Sequence, residues 1–238
     1  MSNHDQAKLT LRDVHVHYGK FHAVHGVSFD VQPGKITSII GANGAGKSST
    51  LKAVLNQAGT VTGSVKLGGD ELVGQETGDI IRQGVALVPE GRWLFPTLSV
   101  EENLDIGRQM ARPGDGMTLA EVYEWFPILK ERRRQMAREL SGGQQQMVAI
   151  GRALLTNPRF LLCDEISLGL APVVVNQLYD ILPRICARGV GIAIVEQDIN
   201  RSLSVAQEFH CFLEGRVTLS GDPNDVTLDT VSKHYFGS

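Results

Sequence analysis

Residues 41–49 read GANGAGKSS and satisfy G-x-x-x-x-G-K-[ST] in full. The loop Gly41, Ala42, Asn43, Gly44, Ala45, Gly46 is glycine-rich enough for its backbone amides to curl around a polyphosphate. Lys47 brings a mobile positive charge to the outer phosphates. The Ser48 hydroxyl suits a Mg²⁺ ion, and Ser49 follows it in the same turn. A β-branched run precedes the loop and a helical stretch follows. That context separates it from a chance glycine-rich turn carrying a lysine, because the helix then directs its N-terminal dipole and free amides at the anion. The chemistry is binding of a nucleoside triphosphate. The loop alone does not choose among kinase, GTPase and motor ATPase.

Two further segments narrow the choice. LSGGQ at residues 140–144 precedes a helix whose Met147, Ile150 and Leu154 share one face, with Pro158 just beyond its end. Ser141 can cap that helix, Gly142 and Gly143 leave its first amides bare, and Gln144 completes the motif. This is a second helix N-terminus suited to an anion, although an ordinary Ser-capped helix would look the same locally. RFLLCDE at residues 159–165 is an apolar strand delivering Asp164 and Glu165 to its carboxyl end, where α/β sheets place ligands. Asp164 suits Mg²⁺ through water. Glu165 suits a general base that polarises an attacking water. Adjacent carboxylates at a strand end are often plain solvated charge; beside a phosphate loop the functional reading prevails.

The elements that must hold these residues can be read coarsely. Residues 8–32 alternate apolar and polar, as half-buried antiparallel strands do. A helix is expected from Lys47 through residue 57, and GSVKLGGDEL reads as a strand pair about a Gly-Gly turn. Residues 97–150 read as helical, with capping-box spacing at Ser99/Glu102 and Thr118/Glu121 and a loop, ARPGDGM, between them. RFLLCDE and GIAIVE are short apolar runs typical of strands buried on both faces of a parallel sheet. The expected fold is α/β: a P-loop NTPase core of the RecA-like kind, an antiparallel β subdomain near the N-terminus, and an inserted α-helical subdomain over about 97–150.

Composition sets bounds. A chain of 238 residues suits one large domain with an insertion. A net charge of −3 and 6% aromatics argue against nucleic acid as a partner. Cys163, Cys186 and Cys211 are far apart without a CxxC pair, so a reducing cytoplasm fits better than a disulfide framework or a zinc site. MSNHDQAKLT has no apolar signal region, and no apolar run approaches the roughly 20 residues that span a bilayer. Any service to a membrane is expected to go through a partner.

In order, GANGAGKS, LSGGQ and LLCDE make the chain resemble the ATP-binding subunit of ABC transporters, over about residues 8–237. The resemblance implies ATP and Mg²⁺ as cofactors and a head-to-tail dimer. Ser141 and Gly143 would then complete a site on the partner, and transmembrane permease subunits would convert dimer closure into transport. It also implies that Tyr18, in VHYGK, stacks on adenine, where a half-buried strand aromatic is the plainer alternative. The protein would be cytoplasmic, held at the inner face of the plasma membrane by the permease.

ALVPEGRWLFPTLSVEENL, LSGGQQQMVAIGRALL, SLGLAP and IVEQD look like one branch, the ATPases of branched-chain amino acid importers. A relative serving urea and short amides is the alternative. Glu90 stands where most ABC ATPases carry a Mg²⁺-sensing glutamine, a feature of the branched-chain type. The branch implies a non-identical ATPase partner and, indirectly, a substrate-binding protein. Ile166 departs from the branch, which has proline after the catalytic glutamate, and the backbone there is expected to be freer. Gln197 occupies the position of a histidine in most ABC ATPases. Its amide can donate a neutral hydrogen bond of similar reach that does not titrate.

Other features have plainer readings. His15, His17, His22 and His25 are expected on an exposed strand face, with no acidic ligand organised around them for a metal. LKERRRQMAREL reads as a solvated helix face or a permease or lipid contact. Trp93 and Phe95 either line a groove for the permease or belong to the core. Two other functions stay open: a soluble ABC-type ATPase with no permease, and a catalytically silent ATP-binding subunit, against which Glu165 speaks.

Overall fold

In the computed structural model, which describes residues 7–237, alternation along β1 (Leu9–Tyr18) buries Leu9, Leu11, Val14 and Val16. The phase slips between Leu11 and Val14, where Asp13 takes φ 49° and the register with the next strand shifts. This bulge puts Val14 back on the core face. β2 (Phe21–Val31) pairs antiparallel with β1. β3 (Ile36–Gly41) is buried throughout and feeds α1 (Lys47–Val54). β4 (Thr60–Leu67) and β5 (Asp70–Glu71) then meet about the Gly68-Gly69 turn, giving an antiparallel sheet of order β2-β1-β4-β5.

α1 stops short of residue 57. Asn56 takes φ 52°, and its Nδ2 donates to Leu72 O at 2.7 Å and Gln75 O at 2.8 Å, so the end of the helix is tied to a turn.

The rest of the chain carries α2 (Thr77–Gln83), β6 (Val85–Val88), four successive helices α3 (Val100–Gln109), α4 (Leu119–Trp125), α5 (Pro127–Glu131) and α6 (Gly142–Leu154), then β7 (Phe160–Asp164), α7 (Pro172–Cys186), β8 (Gly191–Glu196), α8 (Ile199–Val205), β9 (Glu208–Leu213), β10 (Arg216–Gly221) and α9 (Leu228–Phe236). The second sheet has order β10-β9-β3-β8-β7-β6. β9, β3, β8, β7 and β6 run parallel, and β10 is antiparallel. The carboxyl ends of β3, β6, β7 and β8 therefore open on one edge, the place where such sheets bind ligands. One apolar core lies between this sheet, α1 and the antiparallel sheet; another joins the sheet to α3–α7.

Both expected capping boxes form at α3 and α4, and losing such a cap typically costs about 0.5–2 kcal/mol. The basic segment at residues 129–140 is not one helix. α5 ends at Glu131, and the chain then runs antiparallel past the start of α3. There Gln135 O accepts from Val100 N at 2.9 Å and Arg133 O from Glu101 N at 3.0 Å. Those are donors a helix start leaves unpaired, so the segment serves α3 as a backbone cap.

Candidate nucleotide-binding site

The chain turns from β3 into α1 through residues 42–46, with Gly46 as N-cap at φ 95°. A Cβ on Gly46 would lie 2.7 Å from Ala23 O, so conformation and close approach both demand glycine. No side chain caps α1, which leaves its leading amides to an anion. Lys47 is 4% exposed, and its Nζ folds back to donate to Gly41 O at 2.7 Å and Ala42 O at 3.0 Å. Burial pushes the ammonium pKa down, while Glu165, Asp164 and Glu196 draw it back up.

Ser48 Oγ donates to Asp164 Oδ1 at 2.7 Å. Asp164 is fully buried, and its Oδ2 has no hydrogen-bond partner. Burial raises the Asp164 pKa, the Ser48 bond and Lys52 lower it, and Glu165 and Glu90 raise it further. An orphaned carboxylate oxygen beside a hydroxyl, with a second carboxylate in reach, is a donor set that fits a hard cation such as Mg²⁺. Glu90 itself is exposed, just beyond β6.

Glu165 takes φ 49°, a conformation costing a non-glycine residue about 1–3 kcal/mol. Its amide donates to Val195 O at 2.9 Å, and its Oε2 accepts from Gln197 Nε2 at 2.7 Å. Ile166 is 1% exposed and packed in the core, so burial holds this exit where a proline ring would otherwise stiffen it. Tyr18 ends β1 at 43% exposure, its hydroxyl 3.4 Å from Ser49 Oγ.

Ser141 caps α6, with Ser141 and Gln144 forming a reciprocal capping box. A Cβ on Gly143 would sit 2.7 Å from Val174 Cγ1, so glycine lets α6 approach α7. Thus the fold brings the phosphate loop, Asp164, Glu165 and Gln197 together. Among the described residues no hydrogen bond joins residues 141–144 to that loop.

Three contributors were not singled out from sequence. Arg92 donates to Gln145 Oε1 at 3.1 Å and accepts at its carbonyl from Arg152 Nη2 at 3.1 Å, tying the segment after Glu90 to α6. Arg92 and Trp93 both have positive φ, 69° and 45°. Ser167 and Glu196 are hydrogen-bonded to each other. No residue-type signal marks Arg92; Glu196 could have been noticed as a carboxylate closing an otherwise apolar run.

Trp93 and Phe95 are 58% and 50% exposed, which removes the core reading. His22 stacks on His15 and on His17, 3.9 Å from the latter between ring centroids, and lies tilted 3.8 Å from His25. Asp13 Oδ1 lies 3.2 Å from His15 Nε2. Among the described residues no three His, Cys, Asp or Glu are placed to hold a metal, and no helix is long and apolar enough to cross a membrane.

A glycine loop between a parallel strand and a helix, with a Ser–Asp pair and a further carboxylate at the neighbouring strand end, defines a P-loop nucleoside triphosphatase. The chain belongs to the ABC transporter family, whose profile matches residues 24–167. It is 43% identical to the high-affinity branched-chain amino acid transport ATP-binding protein BraG of Pseudomonas aeruginosa, over 89% of this chain and 91% of that one. It is 30% identical to the probable branched-chain amino acid transport ATP-binding protein LivF of Archaeoglobus fulgidus, over 88% and 89% respectively. Among solved structures it resembles an ATP-binding subunit of an ABC transporter at TM-score 0.82 and 26% identity, covering 96% of this chain and 99% of that one.

Proposed function

We propose that this chain is the ATP-hydrolysing subunit of an importer of branched-chain amino acids. The observation that carries the ATPase reading is Glu165, presented at the exit of β7 beside Lys47 and Asp164 and paired with Gln197. Two similar proteins that serve branched-chain amino acid transport support the substrate class over urea or short amides.

The phosphates of ATP lie along residues 41–49, with adenine on Tyr18. Lys47 leaves the carbonyls of Gly41 and Ala42 for the outer phosphates. Glu165 takes a proton from the attacking water as an oxygen bonds to the γ-phosphorus and the bond to the bridging oxygen breaks. Gln197 orients Glu165 and donates toward the γ-phosphate. Ser48 and Asp164, with Glu90 nearby, would hold Mg²⁺, which would offset charge on the outer phosphates. Placing the developing charge among fixed donors is the larger part of the catalysis.

Among the described residues no hydrogen bond joins residues 141–144 to the loop of their own chain, which supports a role for Ser141, Gly142, Gly143 and Gln144 on the ATP of a second, non-identical cassette. On this reading the ATP-binding domain spans 8–237 with its helical insertion at about 97–150. Permease subunits hold the pair at the cytoplasmic face of the membrane, and a substrate-binding protein supplies the cargo. Exposed Trp93 and Phe95 suit the permease contact.

Purification of the tagged chain from membranes tests this. Recovery with a polytopic permease and a second cassette is expected, together with leucine-stimulated ATP hydrolysis once the binding protein is added. Recovery without a permease would favour a soluble ABC-type ATPase instead.

A further inference from the structure

Four histidines crowd the outer face of the β1–β2 pair because β2 carries a bulge. Val16 pairs with Val24 but His17 pairs with His22, which leaves Ala23 as an extra residue. Ala23 and Val24 are both buried in succession, and His22 and His25 come to lie on the same side as His15 and His17. His22 has the His17 ring 3.9 Å away, His25 3.8 Å and His15 5.2 Å between centroids.

His15 Nδ1 lies 3.1 Å from His22 Nε2, and His15 Nε2 lies 3.2 Å from Asp13 Oδ1. A bond between two imidazole nitrogens needs one N–H and one lone pair. With His15 Nε2–H directed at Asp13, His15 Nδ1 accepts and His22 Nε2 donates. A further proton on His15 sets two N–H groups against each other and puts a charge beside the remaining rings. Desolvation, then His17, His25 and His15, push the His22 pKa down from 6.5. Protons taken up as pH falls below that value therefore work against this packing. Of the charged groups around the rings, Asp13 is the acid on β1. Lys20 lies in the hairpin turn, Glu214 in the turn before β10, and Arg216 Nη1 donates to His25 O at 3.5 Å. Thr60 and Thr62 of β4, opposite His17 and His15, do not titrate.

The inner side of the same segment supports the phosphate loop. Ala23 O stands 2.7 Å from where a Gly46 Cβ would be. His25 N donates to Gly215 O at 2.8 Å, and Gly215 N donates to Ala45 O at 3.0 Å. A Cβ on Gly215 would lie 2.5 Å from His25 Cδ2, so ring, turn and loop pack in direct contact. Tyr18 follows His17 at the end of β1.

We propose that the four histidines are an acid-sensitive support for the nucleotide site. Neutral rings hold residues 22–25 and Tyr18 against the phosphate loop; protonated rings repel, spread the hairpin and weaken the hold on ATP. This rests on the phosphate-loop reading above.

The test measures ATP affinity of the full-length chain by calorimetric titration at about pH 7.5 and about pH 5.5, on either side of the imidazole range. Wild type, His22→Phe and His17→Gln are compared, each with native circular dichroism at both values. Comparing variants at one pH cancels protonation of ATP itself. His22→Phe keeps an aromatic ring in the stack but takes no proton. On acidification wild type should lose about 3–10-fold more affinity than His22→Phe, with His17→Gln losing less than wild type. Salt at about 0.5 M should shrink the wild-type loss, since it screens exposed charges and leaves a purely structural ring unaffected. No loss in wild type, an equal loss in His22→Phe, or a loss indifferent to salt would overturn the proposal. Lys47→Ala run alongside separates the two failures. If it binds ATP normally the phosphate-loop reading falls; if it binds poorly while His22→Phe loses as much as wild type, only the role of the histidines falls.

Discussion

Gln197 Nε2 donates to Glu165 Oε2 at 2.7 Å, joining the exits of two parallel strands across the site. A glutamine fills this role with a neutral bond, worth about 0.5–1.5 kcal/mol net. Gln197→Ala should therefore lower kcat by about 3–10-fold with little change in ATP affinity. Gln197→His should restore the rate and add a limb to the pH–rate profile at about pH 6.5 or above, since an imidazole titrates there. A limb at about pH 6–7 in the wild type that vanishes on replacing Gln197 would contradict a neutral donor.

Lys47→Ala should weaken ATP binding by about 10–100-fold, the loss of a charge-assisted contact. Its two present partners are carbonyls of its own loop, so thermal stability should move little. Calorimetric titration with ATP checks this, and unchanged affinity would contradict the phosphate-loop assignment.

The phosphate loop, the residues 140–144 motif and Asp164–Glu165 were legible because each is contiguous and each residue type has a local reason to be there. The capping boxes at Ser99 and Thr118 were legible for the same reason. Ser167–Glu196 and Arg92–Gln145 were not, because they are bonds between residues 29 and 53 positions apart, made by strand register and helix packing. The basic segment was misread because it caps α3 with carbonyls, which every residue has. Asp13 lies beside His15 because residues two apart share a strand face.

His210 is buried in β9 against Phe29, with centroids 4.7 Å apart and neither ring nitrogen hydrogen-bonded. Burial lowers its pKa to about 4, only partly opposed by Asp30, and Glu208 lies 3.5 Å away. The unfolded chain binds this proton from about pH 6.5 downward and the folded chain only near 4, so stability falls as pH drops through that window. The loss is about 3 kcal/mol in all. His210→Phe should flatten the acid limb of Tm against pH. An unchanged limb would mean that other groups set it.

Ile166→Ala should cost about 2–5 kcal/mol, as truncating a fully buried aliphatic does. It should also slow hydrolysis, because Ile166 anchors the left-handed turn at Glu165. Denaturant melts and ATPase rates on one preparation test both. Full stability in Ile166→Ala would show that the turn is held by other contacts.

Single-turnover hydrolysis by Glu165→Gln tests the proposed chemistry most directly. The substitution keeps size and removes the base. ATP should stay bound, the closed dimer should accumulate, and phosphate release should slow by about 10²–10⁴-fold. Phosphate release at the wild-type rate would place the base elsewhere and contradict the site as built.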